Sequence, residues 1–314
     1  MNIDSLQSLY INNIHNIFTA KNFAELASHS NEIQGYSFIN RTLIFLQNRC
    51  CSDVRSEASW NTVQRIIKDG SIPIGVLTPI IKNSYTDAVS GEPISSKELS
   101  INEFNKAIEL GVINKSSEII DVKATLVYDI RDTEVMSSDN KINTTRKIKM
   151  STILNMLNSF GIVIAKIEDG ETTFDKETNT LNFGNDDIAN KVRVCMDALA
   201  IIYIEQMQEN TDLSENEIRV IREYSKYSVI TYFGLADSQD ASFDYLDELN
   251  SKLDEDSINR LVGLLDGMED ILNQNVFGTD SSDNNASEEH KSYIARRAAI
   301  LLNILEANYS AHND

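Results

Sequence analysis

From Gly184 to the C-terminus the sequence carries helical period only. Apolar residues predict helices over 187–208, 214–233, 241–249, 255–275 and 289–308. Ahead of Gly184, helical and β-branched segments alternate. Residues 1–33 read as one helix, with Leu6, Leu9, Tyr10, Ile14, Ile17 and Phe18 at three-to-four spacing. Tyr36 to Gln47 keeps that period, and Ser59 to Lys68 predicts another helix that stops near Gly70. Ile72 to Ile81 is apolar and β-branched but holds Pro73 and Pro79, which suits a strand near a sheet edge. Residues 83–98 read as a loop, and Ser100 to Leu110 as a short helix. Lys123 to Ile130 alternates as a strand does. Ser137 to Thr145 is polar and is the best candidate linker. A helix over Lys149 to Phe160 follows, then a strand in Gly161 to Ile167 and another in Thr180 to Phe183, joined as a hairpin or meander. The expected fold class is α+β: a helical N-terminal domain with a small sheet over 1–136, then a mostly helical domain over 146–314.

Charge divides the chain at the same place. Residues 1–150 hold 16 Lys and Arg against 17 Asp and Glu, a net of −1. Residues 151–314 hold 12 against 31, a net of −19. A near-neutral half can carry a basic groove, whereas an acidic half repels phosphate. Within the first half, Arg41, Arg49, Arg55, Arg65 and Lys68 face only Asp53 and Glu57 between positions 41 and 68. That local excess suits a phosphate backbone, or else a solvated helical face with scattered ion pairs. Tyr36 and Trp60 could stack on unpaired bases, each worth about 1–3 kcal/mol when exposed, or could pack a small core. Phe38 sits at core spacing with Ile39 and Leu43.

No apolar run approaches the roughly 20 residues of a membrane span. Met1 to Tyr10 has neither the basic nor the apolar region of a secretory signal, so the expected location is the cytoplasm. Cys50, Cys51 and Cys195 are too few and too poorly spaced for a disulfide framework and read as reduced thiols. Thr279 to Glu289 reads as a loop. The apolar face of Tyr293 to Leu305 suits packing on the body, or a partner helix.

The stretch YSFINRTLIFLQNRC, then Trp60, then IIKDGSIPIGVLTPI, resembles the N-terminal domain of ArdC-like antirestriction proteins. The matching positions are Tyr36, Ser37, Asn40, Gln47, Trp60, Gly70, Ile74 and Pro79. VYDIRDTE at 127–134 is similar to the family's strand through Tyr128, Asp129, Thr133 and Glu134, with Arg131 and Asp132 in place of Ser and Gln. The family's second half is a zincin-like metallopeptidase. Its sheet is matched by IVIAKI and TLNF, its first helix by KVRVCMDALAIIYIEQM, and its turn by Tyr232 to Leu235, with Ser242 to Tyr245 after it. The resemblance runs over roughly 23–275.

The departure from the family lies in the metal motif. H-E-x-x-H places two imidazoles one helical turn apart on one zinc, with the glutamate polarising its water. The favoured register puts Met196, Asp197 and Ala200 at those positions, and Glu223 in the acidic region of the later helix. His15, His29, His290 and His312 lie outside both helices. The second half therefore reads as a pseudo-metallopeptidase with no metal, no cofactor and no enzymatic activity.

The resemblance implies a non-enzymatic antirestriction protein of a phage or mobile element. It would shield single-stranded DNA, held by Tyr36, Asn40, Arg41, Arg49, Trp60, Arg65 and Lys68. The alternative is an acidic inhibitor, a DNA mimic in charge, that occupies a host nuclease or defence protein.

Overall fold

The computed structural model describes residues 2–29, 33, 35–94, 100–136, 149–208, 213–235 and 243–276. The expected linker at 137–145, the loop at 279–289, the helix at 289–308 and Ser242 lie outside the described residues.

The first stretch is two helices rather than one, α1 (Ile3–Ile17) and α2 (Ala20–His29). The break is made by hydrogen bonds. The Asn16 carbonyl accepts from the Thr19 hydroxyl and the Asn22 amide, and the first N–H of α2, at Ala20, donates to the carboxylate of distant Asp247. α3 (Phe38–Gln47) starts at Ser37, whose hydroxyl accepts the Asn40 N–H. Phe38 through Phe45 are all buried. A helix buried on every face belongs at the centre of a fold, and α3 touches α1, α2, a long strand and the last described helix.

A short strand β1 (Val54–Arg55) leads to α4 (Glu57–Thr62). The helix expected to reach Lys68 ends here. Gln64 takes a left-handed φ of 56°, and the chain turns into β2 (Arg65–Ile67). The expected loop at 83–98 is corrected too. β3 (Ile74–Asp87) runs on through Thr86, and it pairs antiparallel with β4 (Ile113–Asp129) along its whole length. Between them α5 (Ile101–Glu109) begins at a capping box made by Ser100 and Glu103. Sheet order β1-β4-β3 leaves β3 outermost, where Pro79 is tolerated. Register shifts once, between Ile80 and Ile81, so Ile120 of β4 is an unpaired bulge residue. The extra residue resets the alternation, and Ile119 and Val122 are both buried though three apart. A 3-10 turn at Ile130–Asp132 then feeds β5 (Thr133–Val135), which pairs with β2.

The second half follows the expected order closely. α6 (Met150–Ser159), β6 (Val163–Lys166), β7 (Thr173–Asp175) and β8 (Thr180–Phe183) come first. The two expected strands, β6 and β8, run parallel and so form neither a hairpin nor a meander; the hairpin partner of β8 is β7, a strand not expected from sequence. Among the described residues four helices follow: α7 (Ile188–Gln208), α8 (Glu215–Tyr232), α9 (Tyr245–Asn250) and α10 (Glu255–Asn275). α8 is capped by Ser214 with Glu217, and α10 by Asp254. The architecture is α+β.

One apolar core serves helices of both halves. It joins Leu6, Phe23 and Phe38 to Leu199, Val220 and Leu272. The rings of Phe23 and Phe38 both meet that of Tyr224. A second, smaller cluster holds Ile44, Val54, Ile74, Val76 and Val127 beneath β1, β3 and β4. Among the described residues no helix is long and apolar enough to cross a membrane.

Candidate functional site

The expected DNA-contacting residues divide into interior and surface groups. Asn40 is interior. Its amide donates to the Leu77 carbonyl at 2.8 Å and its oxygen accepts the Leu77 N–H at 2.8 Å. Gln47 repeats this on Gly75, again with both bonds at 2.8 Å. Two amides of α3 thus satisfy alternate peptide groups on the outermost strand, which would otherwise be an open edge. The Tyr36 hydroxyl donates to the Val54 carbonyl at 3.1 Å. Burial, and then Asp53, pushes its pKa well above the usual phenol range.

Arg41 is 1 % exposed and pairs with Glu269 of α10, which is 0 % exposed, at 2.8 Å. Its Nε donates to the Tyr36 carbonyl, and the nitrogen that meets Glu269 also donates to Asn273. On the same face Asp266 accepts the Phe38 N–H at 2.7 Å, and the Tyr224 hydroxyl donates to Glu269. Arg41 is therefore the cation of a buried junction between α3 and α10, out of reach of a phosphate.

Trp60 is fully buried, and its indole N–H donates to the Tyr128 carbonyl at 2.9 Å. The guanidinium groups of Arg55 and Arg65 lie 4.9 and 5.9 Å from its ring. The ring is packed, so it offers no face to a base. Arg65 is half-buried and bonds the Thr133 hydroxyl at 2.6 Å. Asp129 accepts the Ser52 N–H and pairs with Arg131. Arg49 and Lys68 are exposed. Arg49 pairs with Glu25 at 3.1 Å over the Phe45 ring, and the Lys68 ammonium rests on the Arg131 carbonyl. Of the seven residues, Arg49 and Lys68 are exposed, Tyr36 and Arg65 are half-buried, and Asn40, Arg41 and Trp60 are buried.

On α7, Met196 and Ala200 are 0 % exposed and belong to the core. Asp197, between them in sequence, points elsewhere. Both its oxygens take Arg222 of α8, at 2.8 and 2.6 Å. The Lys226 ammonium stands 3.6 Å from Asp197 and 2.8 Å from Glu223. Asp197 holds the Arg222 guanidinium pKa above its ordinary value. Thioether and methyl groups in a dry core, beside a carboxylate already bound to two cations, do not fit a zinc centre. Among the described residues no group of three or more His, Cys, Asp or Glu is placed to hold a metal.

The feature that residue-by-residue reading missed is an acidic ridge. Asp244, Asp247, Glu248, Asp254, Glu255 and Asp256 are exposed where α9 meets α10. Lys252 is the only basic residue in that segment, and it is spent on Glu248 at 2.7 Å. The signal was present as the −19 of the second half; its concentration at one junction was not readable from a total.

No family model and no curated protein matches the chain. Solved structures similar to it include two of the antirestriction protein ArdC from plasmid R388. The metal-free one is 12 % identical with a TM-score of 0.44, covering 79 % of this chain and 90 % of that one. The Mn(II)-bound one is 10 % identical with a TM-score of 0.40, covering 76 % and 83 %.

Proposed function

We propose that the chain is a non-enzymatic protein of antirestriction type that acts by binding, and that its partner is a protein with a basic surface. Support for the antirestriction reading comes from what the residues of the sequence pattern do. Tyr36, Asn40, Gln47, Trp60 and Asp129 each bond a neighbouring strand or loop. They form one framework joining α3, α4 and the β1-β4-β3 sheet. The observation that carries the choice of partner is the same framework. It uses the aromatic side chains on which single-stranded DNA would stack, while the ridge at α9 and α10 leaves its carboxylates exposed. Carboxylates at that density attract a cationic cleft of the sort that receives DNA.

The test is protection of unmethylated plasmid from a panel of purified restriction endonucleases. On this proposal protection titrates with enzyme concentration at fixed DNA, and Glu255→Gln with Asp256→Asn weakens it. Protection that scales with DNA concentration would reverse the choice. So would binding of a labelled single-stranded oligonucleotide that weakens steeply with salt and depends on Arg49 and Lys68. Either result makes the partner nucleic acid.

A further inference from the structure

Asp197 and Glu223 stand within reach of a single cation, because the Lys226 ammonium touches one at 2.8 Å and lies 3.6 Å from the other. Arg222 closes on Asp197 through two hydrogen bonds. All four side chains are part-buried, at 21–38 % exposure. Two carboxylates that a divalent ion could bridge are thus bridged by cations belonging to the chain itself.

We infer that Arg222 and Lys226 are built-in replacements for a divalent cation, and that they make this face a charge-balanced staple between α7 and α8 that excludes metal. The inference rests on the non-enzymatic reading above. Its physical basis is charge neutrality. A site with two carboxylates, a guanidinium and an ammonium has no net charge to attract an ion, and an entering metal would have to displace a bidentate pair. Removing both cations leaves two oxygen-donor groups facing each other. Oxygen donors suit a hard divalent ion, so Mn²⁺ is the probe, because its binding is visible by electron paramagnetic resonance.

Mn²⁺ is titrated into the full chain, its Asp197→Asn variant, its Arg222→Met/Lys226→Met variant, and that double variant with Asp197→Asn added, with melting followed alongside. The wild type is expected to show no saturable Mn²⁺ binding below about 1 mM and no change in Tm, as a neutral site predicts. The double variant should melt several degrees lower and regain stability with Mn²⁺, and Asp197→Asn should abolish the gain. If the double variant does not fold, Lys226→Met alone decides by the same two readouts. Saturable Mn²⁺ binding by the wild type that Asp197→Asn removes would overturn the non-enzymatic reading and this inference together. An unresponsive wild type with a variant that neither loses stability nor gains Mn²⁺ binding overturns the inference alone: the cations would be bystanders.

Discussion

Arg41 carries the greatest single-residue risk in the fold. A guanidinium at 1 % exposure beside a carboxylate at 0 % is stable only as a pair, and removing one member strands the other in a dry interior. Arg41→Met is therefore expected to lower the unfolding free energy by about 3–5 kcal/mol. Adding Glu269→Met should recover much of that. Urea unfolding of the two variants checks this, and a single-variant loss below about 1 kcal/mol would show a hydrated pair. Alkali probes the interior from another side. Burial, with a smaller push from Asp186, raises the Cys195 thiol from 9.0 to about 12, and burial raises the Tyr10 and Tyr203 hydroxyls. A raised acid favours the native state below its unfolded pKa and loses that advantage as pH climbs toward the folded one. The urea midpoint should thus hold to about pH 9 and fall between pH 9 and 12; a flat midpoint across that range would mean these groups ionise freely. None of these roles could be read from sequence. Arg41 looked like a phosphate contact and Trp60 stood open between a stacking ring and a core residue, because their partners lie 228 and 68 positions away.

Between elements, the sequence was informative wherever one face alone is buried. α6, α8 and α10 start and stop within a residue or two of the expected limits; periodicity sets all three, and caps at Ser214 and Asp254 agree with it for α8 and α10. The long ribbon was half missed. Its distal residues Lys82, Asn83 and Ser84 are exposed, so they lack the alternation that marks a strand, and Ser and Asn there mimic a loop. β2 was missed because three residues cannot establish a period, and only pairing with β5 makes them a strand. Helix contacts also depend on what is absent. A Cβ on Gly267 of α10 would sit 2.2 Å from the Tyr203 hydroxyl of α7. Gly267→Ala should therefore destabilise, even though alanine gains about 1 kcal/mol of helix propensity. Tyr203→Phe in the same chain should recover part of the loss, since its ring carbon would stand at 3.3 Å. Thermal melts of the two variants decide it; stabilisation by Gly267→Ala alone would mean that α7 and α10 yield easily.

For the whole molecule, the charge division and the fold class were legible, and the way the halves share an interior was not. Composition changes near residue 150, yet the apolar cluster runs from Leu6 to Leu272 without regard to that change. Residues 1–136 expressed alone are expected to give no cooperative melt, because α3 would expose the face that meets α8 and α10. Mixing with residues 146–314 should restore one. A sharp, independent transition in the isolated piece would show that α3 can be covered locally. The Phe38 N–H and Asp266 are 228 residues apart in the chain. At a synthesis rate of about 5–20 residues per second, α3 leaves the ribosome about 10–50 s before the helix that neutralises it exists. The newborn N-terminal half spends that interval with an unmatched guanidinium and an uncovered helix, so the order of synthesis exposes this interior before its cover exists.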